Sequence, residues 1–402
     1  MIQKQYETDE AEELLRTIQR IGEDPDYQSA KTRVLEIYAE CWEEETLQRI
    51  AAMAREALPD AVLVGMTNYV HYWTKGEEMK QGKVYSANLL LFERSEVKVL
   101  RYNIPEDEEE VVGRVFNMDL MEIPDLKAVQ LFVGGAYTVM DDLLRLASKG
   151  IEEVPLFGAK AAVNMERRIF GKIFDAEGLL GQTEMLALAF SGEDLFARAS
   201  YNLGWTPIGK EMTITRTSSE YLVDRIDDVP ATEIYRKYLG LSPEQIIVLN
   251  TSEFPILLNH GGWTVGRTGA QWRKNGEIEF SAPVYEGEKF RFSYGNPNEI
   301  FRETYGDSRE IEYECMEGLF VVACGNRQLF RGKDEDCEID FYRSVCPNMV
   351  LAHGNDEILM LNGAGGELNS ALITLSFREG EPKRADRVKW DGKKACPTER
   401  EE

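Results

Sequence analysis

Three stretches of this chain repeat one local pattern, and the repetition limits the fold more than any other feature. "TRVLEIYAE" (32–40) is rich in β-branched and aromatic residues and reads as a strand. "EEETLQRIAAMAREALPD" (43–60) reads as a helix stopped by Pro59, and "AVLVGMTNYV" (61–70) as a second strand that runs into Gly65. The order returns in "AVQLFVGG" (128–135), "TVMDDLLRLASKG" (138–150) and "VPLFGAKAAV" (154–163). It returns again in "GLFVVACGNR" (318–327), "CEIDFYRSVCPN" (337–348) and "MVLAHGNDEI" (349–358). The closing strands align as "VLVGMTN", "VPLFGAK" and "VLAHGND". A strand–helix–strand unit gives parallel strands joined by a right-handed crossover. The expected class is therefore α/β (α+β), with two domains built from mixed β-sheets flanked by helices.

Ligands of open α/β sheets bind beyond the carboxyl ends of the strands. Glycine there lets the backbone turn and lets a ligand approach. The tips near Gly65, Gly158 and Gly354 are candidate pocket floors, with a simple tight turn as the competing reading.

Elsewhere, "TDEAEELLRTIQRIG" (8–22) reads as a helix with Leu14, Leu15, Ile18 and Ile21 on one face and Gly22 as a left-handed stop. "EDPDYQSA" reads as a linker. Residues 86–104, 169–192 and 277–297 read as hairpins, and "PEDEEE" (105–110) as a solvated loop. "GAGGEL" (363–368) reads as a flexible turn, since no helix N-terminus follows to make a phosphate cradle. Residues 379–402 read as a polar, disordered tail that continues into an output domain.

With 402 residues the chain can bury real cores in two or three domains. Its net charge of −25 repels phosphate backbones and anionic lipid, so neither nucleic acid nor a membrane is expected as a partner. There is no secretory signal and no apolar run of about 18 residues, so a reducing cytoplasm is the expected setting. Four of the six cysteines, Cys315, Cys324, Cys337 and Cys346, are separated by eight, twelve and eight residues. That is not zinc spacing, and buried structural thiols are expected. No cofactor motif is present, and none is expected.

The most distinctive stretch is "GWTPIGKEMTITRTSSEYLVDRIDDVPATEIYRKYLGL" (204–241). Residues 211–217 and 220–227 read as paired strands. Asp228 reads as a helix N-cap with Pro230 in the first turn, and Gly240 as the stop. Ile234, Tyr235, Tyr238 and Leu239 make the apolar face. Ser242 with Gln245 reads as a capping box. From "ALPDAVLVGMTNYV" through "EEVPLFGAKAAV", this stretch, "CGNR", "GNDEI" and "LNSALITL", the chain resembles the FIST sensory proteins over residues 30–377. The resemblance implies a FIST N-like domain at 27–197 and a FIST C-like domain at 198–378, after an N-terminal helix and linker at 1–26. It implies a cytoplasmic ligand-sensing module of signal transduction, with amino acids as ligands. The expected partner is an output domain of diguanylate cyclase, kinase or chemoreceptor type. Thr67, Asn68, Tyr69 and Lys160 lie at the two turns that resemble the family's glycine turns and are candidate ligand-binding residues, with Lys160 standing in what is normally a small-residue run.

An amino acid needs a cation for its carboxylate, acceptors for its ammonium and an apolar wall. Arg327 or Arg267 would supply the cation. Glu357 would supply the acceptor, with Asn326 or Asn369 beside it. Trp205, Trp263 or Tyr69 would form the wall. For each residue, a salt bridge or a packing role is the competing reading. His71 and His353 follow strand ends and are candidates to line the pocket, while His260 shows no metal-ligand spacing with either. Cys324 beside Arg327 is the candidate nucleophile of an alternative reading, a cysteine hydrolase. A third reading is a protein-interaction scaffold.

Overall fold

The computed structural model describes residues 1–74, 77–80, 82–135, 138–164, 169–331, 335–381 and 383–385. The tail residues 386–402, with Cys396 and the expected route to an output domain, lie outside the described residues.

Three units follow one another along the chain. The first runs β1 (Ile2–Thr8), α1 (Ala11–Ile21), α2 (Pro25–Ser29), β2 (Thr32–Ala39), α3 (Glu44–Ala57), β3 (Val62–Thr67), a hairpin of β4 (His71–Thr74) and β5 (Glu77–Lys80), and β6 (Tyr85–Phe92). The second runs β7 (Glu96–Asn103), α4 (Glu109–Met121), β8 (Leu126–Val133), α5 (Asp141–Ala147), β9 (Leu156–Lys160), a hairpin of β10 (Ile173–Asp175) and β11 (Gly178–Leu179), and β12 (Glu184–Ser191). The third opens with β13 (Leu195–Asn202) and is interrupted by an insert. The insert contains β14 (Trp205–Ser219), β15 (Leu222–Ile226), β16 (Val229–Pro230), α6 (Ala231–Leu239), α7 (Val248–Thr251), β17 (Ile256–His260), β18 (Trp263–Arg267), β19 (Gly269–Trp272), β20 (Ile278–Phe280) and β21 (Lys289–Gly295). The third unit then resumes with α8 (Pro297–Tyr313), β22 (Gly318–Ala323), α9 (Gly325–Arg331), α10 (Glu335–Val345), β23 (Val350–Ala352), a hairpin of β24 (Glu357–Leu361) and β25 (Ala364–Leu368), and β26 (Leu372–Glu379).

Each unit forms the same four-strand sheet: β1-β6-β2-β3, β7-β12-β8-β9 and β13-β26-β22-β23. The three strand–helix–strand repeats are its parallel pairs. The return strands β6, β12 and β26 run antiparallel beside them. The registers coincide as well. Ala39 faces Thr67 and Tyr85, and Val133 faces Lys160 and Met185. In the third unit Ala323 faces Leu372, and His353 follows the last paired residue. Thr67, Lys160 and His353 therefore occupy one position in three copies. The α/β class with mixed sheets flanked by helices is the observed architecture.

The units interlock. The β10–β11 hairpin of the second unit extends the first sheet at β3, and the β24–β25 hairpin of the third extends the second sheet at β9. Beyond the strands, Tyr69 N donates to His353 O at 3.0 Å, Ala162 N to Thr67 O at 3.0 Å and Lys160 N to Asp356 O at 3.0 Å. Near the amino ends of the parallel strands the core is aromatic. Phe190 and Phe377 lie 4.7 Å apart, with Phe92 5.9 Å from Phe190 and Phe320 5.8 Å from Phe377.

The insert's sheet runs β18-β17-β21-β14-β15-β20-β19, with β16 beside β15. Helix α6 packs on it through Tyr235, whose ring is 5.1 Å from Phe292. Gly240 ends α6 at φ 71°, and Ser242 N donates to Gln245 Oε1 at 2.9 Å, the expected capping-box contact.

Several local expectations fail. The strands at 86–104 are not a hairpin: β6 stays in the first sheet and β7 starts the second. In 169–192 only β10 and β11 pair with each other, and β12 joins the second sheet. In 277–297, β20 pairs with β15 and β19 while β21 pairs with β14 and β17. Alternation marks a strand but does not name its partner. "EDPDYQSA" contains α2, capped by Asp24 Oδ1 accepting from Asp26 N at 2.9 Å. Gly22 has φ −60° and is no left-handed stop. Asp228 has φ 63°, so the cap of α6 is Pro230. "GAGGEL" is mostly strand β25. Cys41, Cys324 and Cys346 are buried free thiols and Cys315 is half-buried, but Cys337 is disulfide-bonded, against the expectation of thiols throughout.

Candidate functional site

The carboxyl ends of the parallel strands converge under the insert and leave a cavity of about 480 Å³. Its floor comes from the three units: Tyr69 after β3, Val163 after β9, Cys324 and Asn326 after β22, and Gly354 and Asn355 after β23. Its roof comes from the insert: Ile247, Val248 and Leu249 around α7, Ala270 and Gln271 of β19, Glu279 and Phe280 of β20, and Ser281 just after it. His71 and Leu329 complete the wall. The lining is largely apolar, and among the described residues no lysine or arginine belongs to it.

Beneath the floor lies a buried polar layer. Asn369 is its hub. Its Oδ1 accepts from Asn326 Nδ2 at 3.2 Å and from Ser281 Oγ at 3.1 Å. Its Nδ2 meets Cys324 Sγ at 3.8 Å and Asp356 Oδ1 at 3.5 Å. The hub joins insert to core. Lys160 Nζ donates to Glu367 Oε2 at 2.6 Å and lies 3.5 Å from Asp356 Oδ2. Burial works against the ammonium, but Glu367 and Asp356 outweigh it and hold Lys160 charged. Glu367 N donates to Asp141 Oδ1 at 3.0 Å, and Asp141 Oδ2 lies 2.8 Å from His260 Nε2. His260 Nδ1 in turn lies 2.8 Å from Glu288 Oε1, so the chain of contacts ends in the insert.

The residues expected to bind ligand divide into two groups. Tyr69, Cys324 and Asn326 line the cavity, with Asn369 directly behind them. The others are engaged within the fold. Arg327 is fully buried and grips Glu338 through Nη2 at 2.5 Å and Nε at 3.2 Å, while its Nη1 donates to Leu203 O at 2.8 Å. Arg267 is fully buried and donates to the carbonyls of Pro283, Gly266 and Glu367. Trp205 Nε1 donates to Ser370 O at 2.7 Å, and Trp263 stacks on Tyr201 at 4.9 Å. Thr67 Oγ1 donates to Ala162 O, and Asn68 Oδ1 accepts from His353 N. Burial lowers His353 to about 4, so its ring is neutral, with Nδ1 3.2 Å from Ala323 O.

Glu357 is buried beside Cys324 and Ala371, and among the described residues neither carboxyl oxygen has a partner in good hydrogen-bond geometry. Burial and then Asp356 push its pKa well up, so it is a neutral acid. Burial and then Glu357 push the Cys324 thiol well above its ordinary value. Such a thiol yields little thiolate, which opposes a nucleophilic role.

The glycines of the three tips serve packing first. A Cβ on Gly65 would meet the Phe174 ring at 2.1 Å, and one on Gly158 would meet Leu131 O at 2.1 Å. Gly354 does line the cavity, and it also abuts Lys160 O, which a Cβ would meet at 2.4 Å.

Sequence reasoning missed the roof and Glu367. Nothing in "IIVLN" or "FSAP" distinguishes cavity lining from core. One signal did exist for Glu367, a lone acid between glycines and an apolar strand. Among the described residues, no group of three His, Cys, Asp or Glu side chains is arranged to hold a metal ion. No helix among them is long and apolar enough to cross a membrane.

The fold and site thus define an α/β protein with a cavity between a three-unit core and an inserted sheet. Family models match over most of its length, the FIST N domain at residues 38–228 and the FIST C domain at 231–353. The chain belongs to the FIST family, whose domains are sensory and signal-transduction domains. No curated protein matches it in sequence. Among solved structures it is similar to a cyanuric acid hydrolase from A. caulinodans, at 8% identity over 94% of this chain and 99% of that one. The TM-score there is 0.30, too low to carry an argument.

Proposed function

We propose that residues 27–378, in the two domains expected at 27–197 and 198–378, form a cytoplasmic, non-catalytic sensing module whose small-molecule ligand occupies the cavity between core and insert. The observation that carries the reading is the cavity itself, a largely apolar chamber with hydrogen-bonding groups at His71, Gln271, Glu279, Ser281, Asn326 and Asn355. A ligand there touches both parts at once, so it favours the arrangement in which they close on it. An output domain of kinase, diguanylate cyclase or chemoreceptor type would read that shift.

The ligand class follows from the lining. An amino acid with an apolar side chain fits Val163, Leu249 and Phe280, and Glu279, which also pairs with Arg273, offers an acceptor for its ammonium. The guanidiniums of Arg327 and Arg267 are committed elsewhere, so the carboxylate would rest on neutral donors such as Asn326. Apolar amino acids and their uncharged amides are therefore the first probes. A ligand that prefers the native state raises the melting temperature. The reading predicts such a rise for at least one probe, with the rise largely lost in Asn326→Ala. Equal melting temperatures with and without every probe would count against it. The hydrolase reading is disfavoured by the raised pKa of Cys324, and slow labelling of that thiol at neutral pH is expected.

A further inference from the structure

The three units supply their own control for surface chemistry. Helices α1, α4 and α8 hold one topological position, between the first strand of a unit and its parallel pair. Their outward faces should therefore be alike, and two of them are. The exposed positions of α1 carry Glu12, Glu13, Arg16, Gln19 and Arg20, and those of α8 include Asn298 and Arg302. Helix α4 differs. Val111 is 58% exposed, Val115 46%, Met118 67% and Met121 62%. Steps of four, three and three residues place these side chains along one stripe. Neither α1 nor α8 bears a large exposed apolar side chain.

The stripe cannot turn inward. The opposite face of α4 already buries Gly113, Phe116 and Leu120. Gly113 seats the helix so close to α5 that a Cβ there would meet Leu143 O at 2.7 Å. An apolar stripe fixed in solvent marks an interaction surface.

Charge selects the occupant. Exposed Glu106, Asp107, Glu108, Glu110 and Glu122 flank the stripe along the chain, against Arg114 as the exposed cation on the helix and Arg145 and Lys149 exposed on and just after α5. A second copy of a chain of net charge −25 would bring acid against acid. Unbranched methionines adapt to a helical partner, and an apolar stripe with mainly acidic flanks is the complement of a basic amphipathic helix. We propose that the outward face of α4 docks a basic amphipathic helix of a partner protein. This surface is separate from the cavity, and the proposal does not depend on the ligand.

The test uses the full chain and a synthetic Leu/Lys peptide of about four helical turns. Its control is a peptide of the same composition, scrambled to abolish the apolar face. Binding is read by fluorescence anisotropy. The wild type should bind the amphipathic peptide at least about tenfold more tightly than the scrambled one. The double variant Val115→Ser/Met118→Ser should erase that preference and leave the melting temperature unchanged, because both side chains are exposed. The inference is overturned if the peptides bind equally, if neither binds, or if the variant retains the preference. It is also overturned if sedimentation shows a dimer that the double variant dissociates, since a second copy would then own the face.

Discussion

Glu36 is fully buried in β2, with Asn88 Nδ2 donating to its Oε2 at 3.0 Å and Tyr38 OH at 3.1 Å, while its Oε1 has no partner in good geometry among the described residues. Burial pushes its pKa up to about 8. An acid raised on folding contributes full stability below its unfolded value of about 4.5 and loses it as pH rises through 8. Glu36→Gln should therefore match the wild type at pH 5 and exceed it at pH 9 by on the order of a few kcal/mol in urea unfolding. His260 works in the same pH direction through a cation. Burial opposes its charge, but Asp141 and Glu288 outweigh it and raise it from 6.5 to about 9. Its contribution is complete below pH 6.5 and gone above pH 9. His260→Gln should lower the melting temperature at pH 6 and change little at pH 9.5. An equal loss at both values would show that the ring acts by packing alone.

At the scale of elements, Gly158 illustrates what periodicity reads and what it does not. The strand around it was legible from "VPLFGAK", and its parallel partner β8 from the strand–helix–strand order. The reason for the glycine was not, because it lies in the neighbouring strand, where Leu131 O fills the space a Cβ would need. Gly158→Ala should cost more than about 2 kcal/mol in urea unfolding, since the clash is with backbone that cannot step aside. The capping of α6 shows the same limit. Gly240 was readable as a stop, but Asp228 was read as the start because its side chain suits a cap. Its positive φ comes from the β15–β16 turn, which the sequence does not advertise. Hairpins failed for a related reason. "FERSE" (92–96) looks like a tight turn between strands, yet it carries the chain from one unit's sheet to the next.

At the scale of the molecule, the described residues form three copies of one unit joined pairwise at their strand ends, with a sheet inserted into the third copy. The alignment of "VLVGMTN", "VPLFGAK" and "VLAHGND" already held this in outline, and their ends do converge. The sequence could not show that charged residues at those ends are consumed by the fold. Lys160, Arg267 and Arg327 are the cations a reader would assign to a ligand, and each has internal partners. The pocket is instead finished by residues of the insert, the apolar Ile247, Val248, Leu249, Ala270 and Phe280 with Gln271, Glu279 and Ser281 among them, and no local pattern marks them in the sequence. The central claim is that a small molecule sits between insert and core. Native mass spectrometry of gently purified protein tests it most directly, comparing the wild type with Ala270→Trp, which fills the cavity from the roof. The account predicts a bound small molecule on the wild type, or one taken up from the apolar amino-acid panel, and none on a folded Ala270→Trp. Equal occupancy of the two proteins would contradict it.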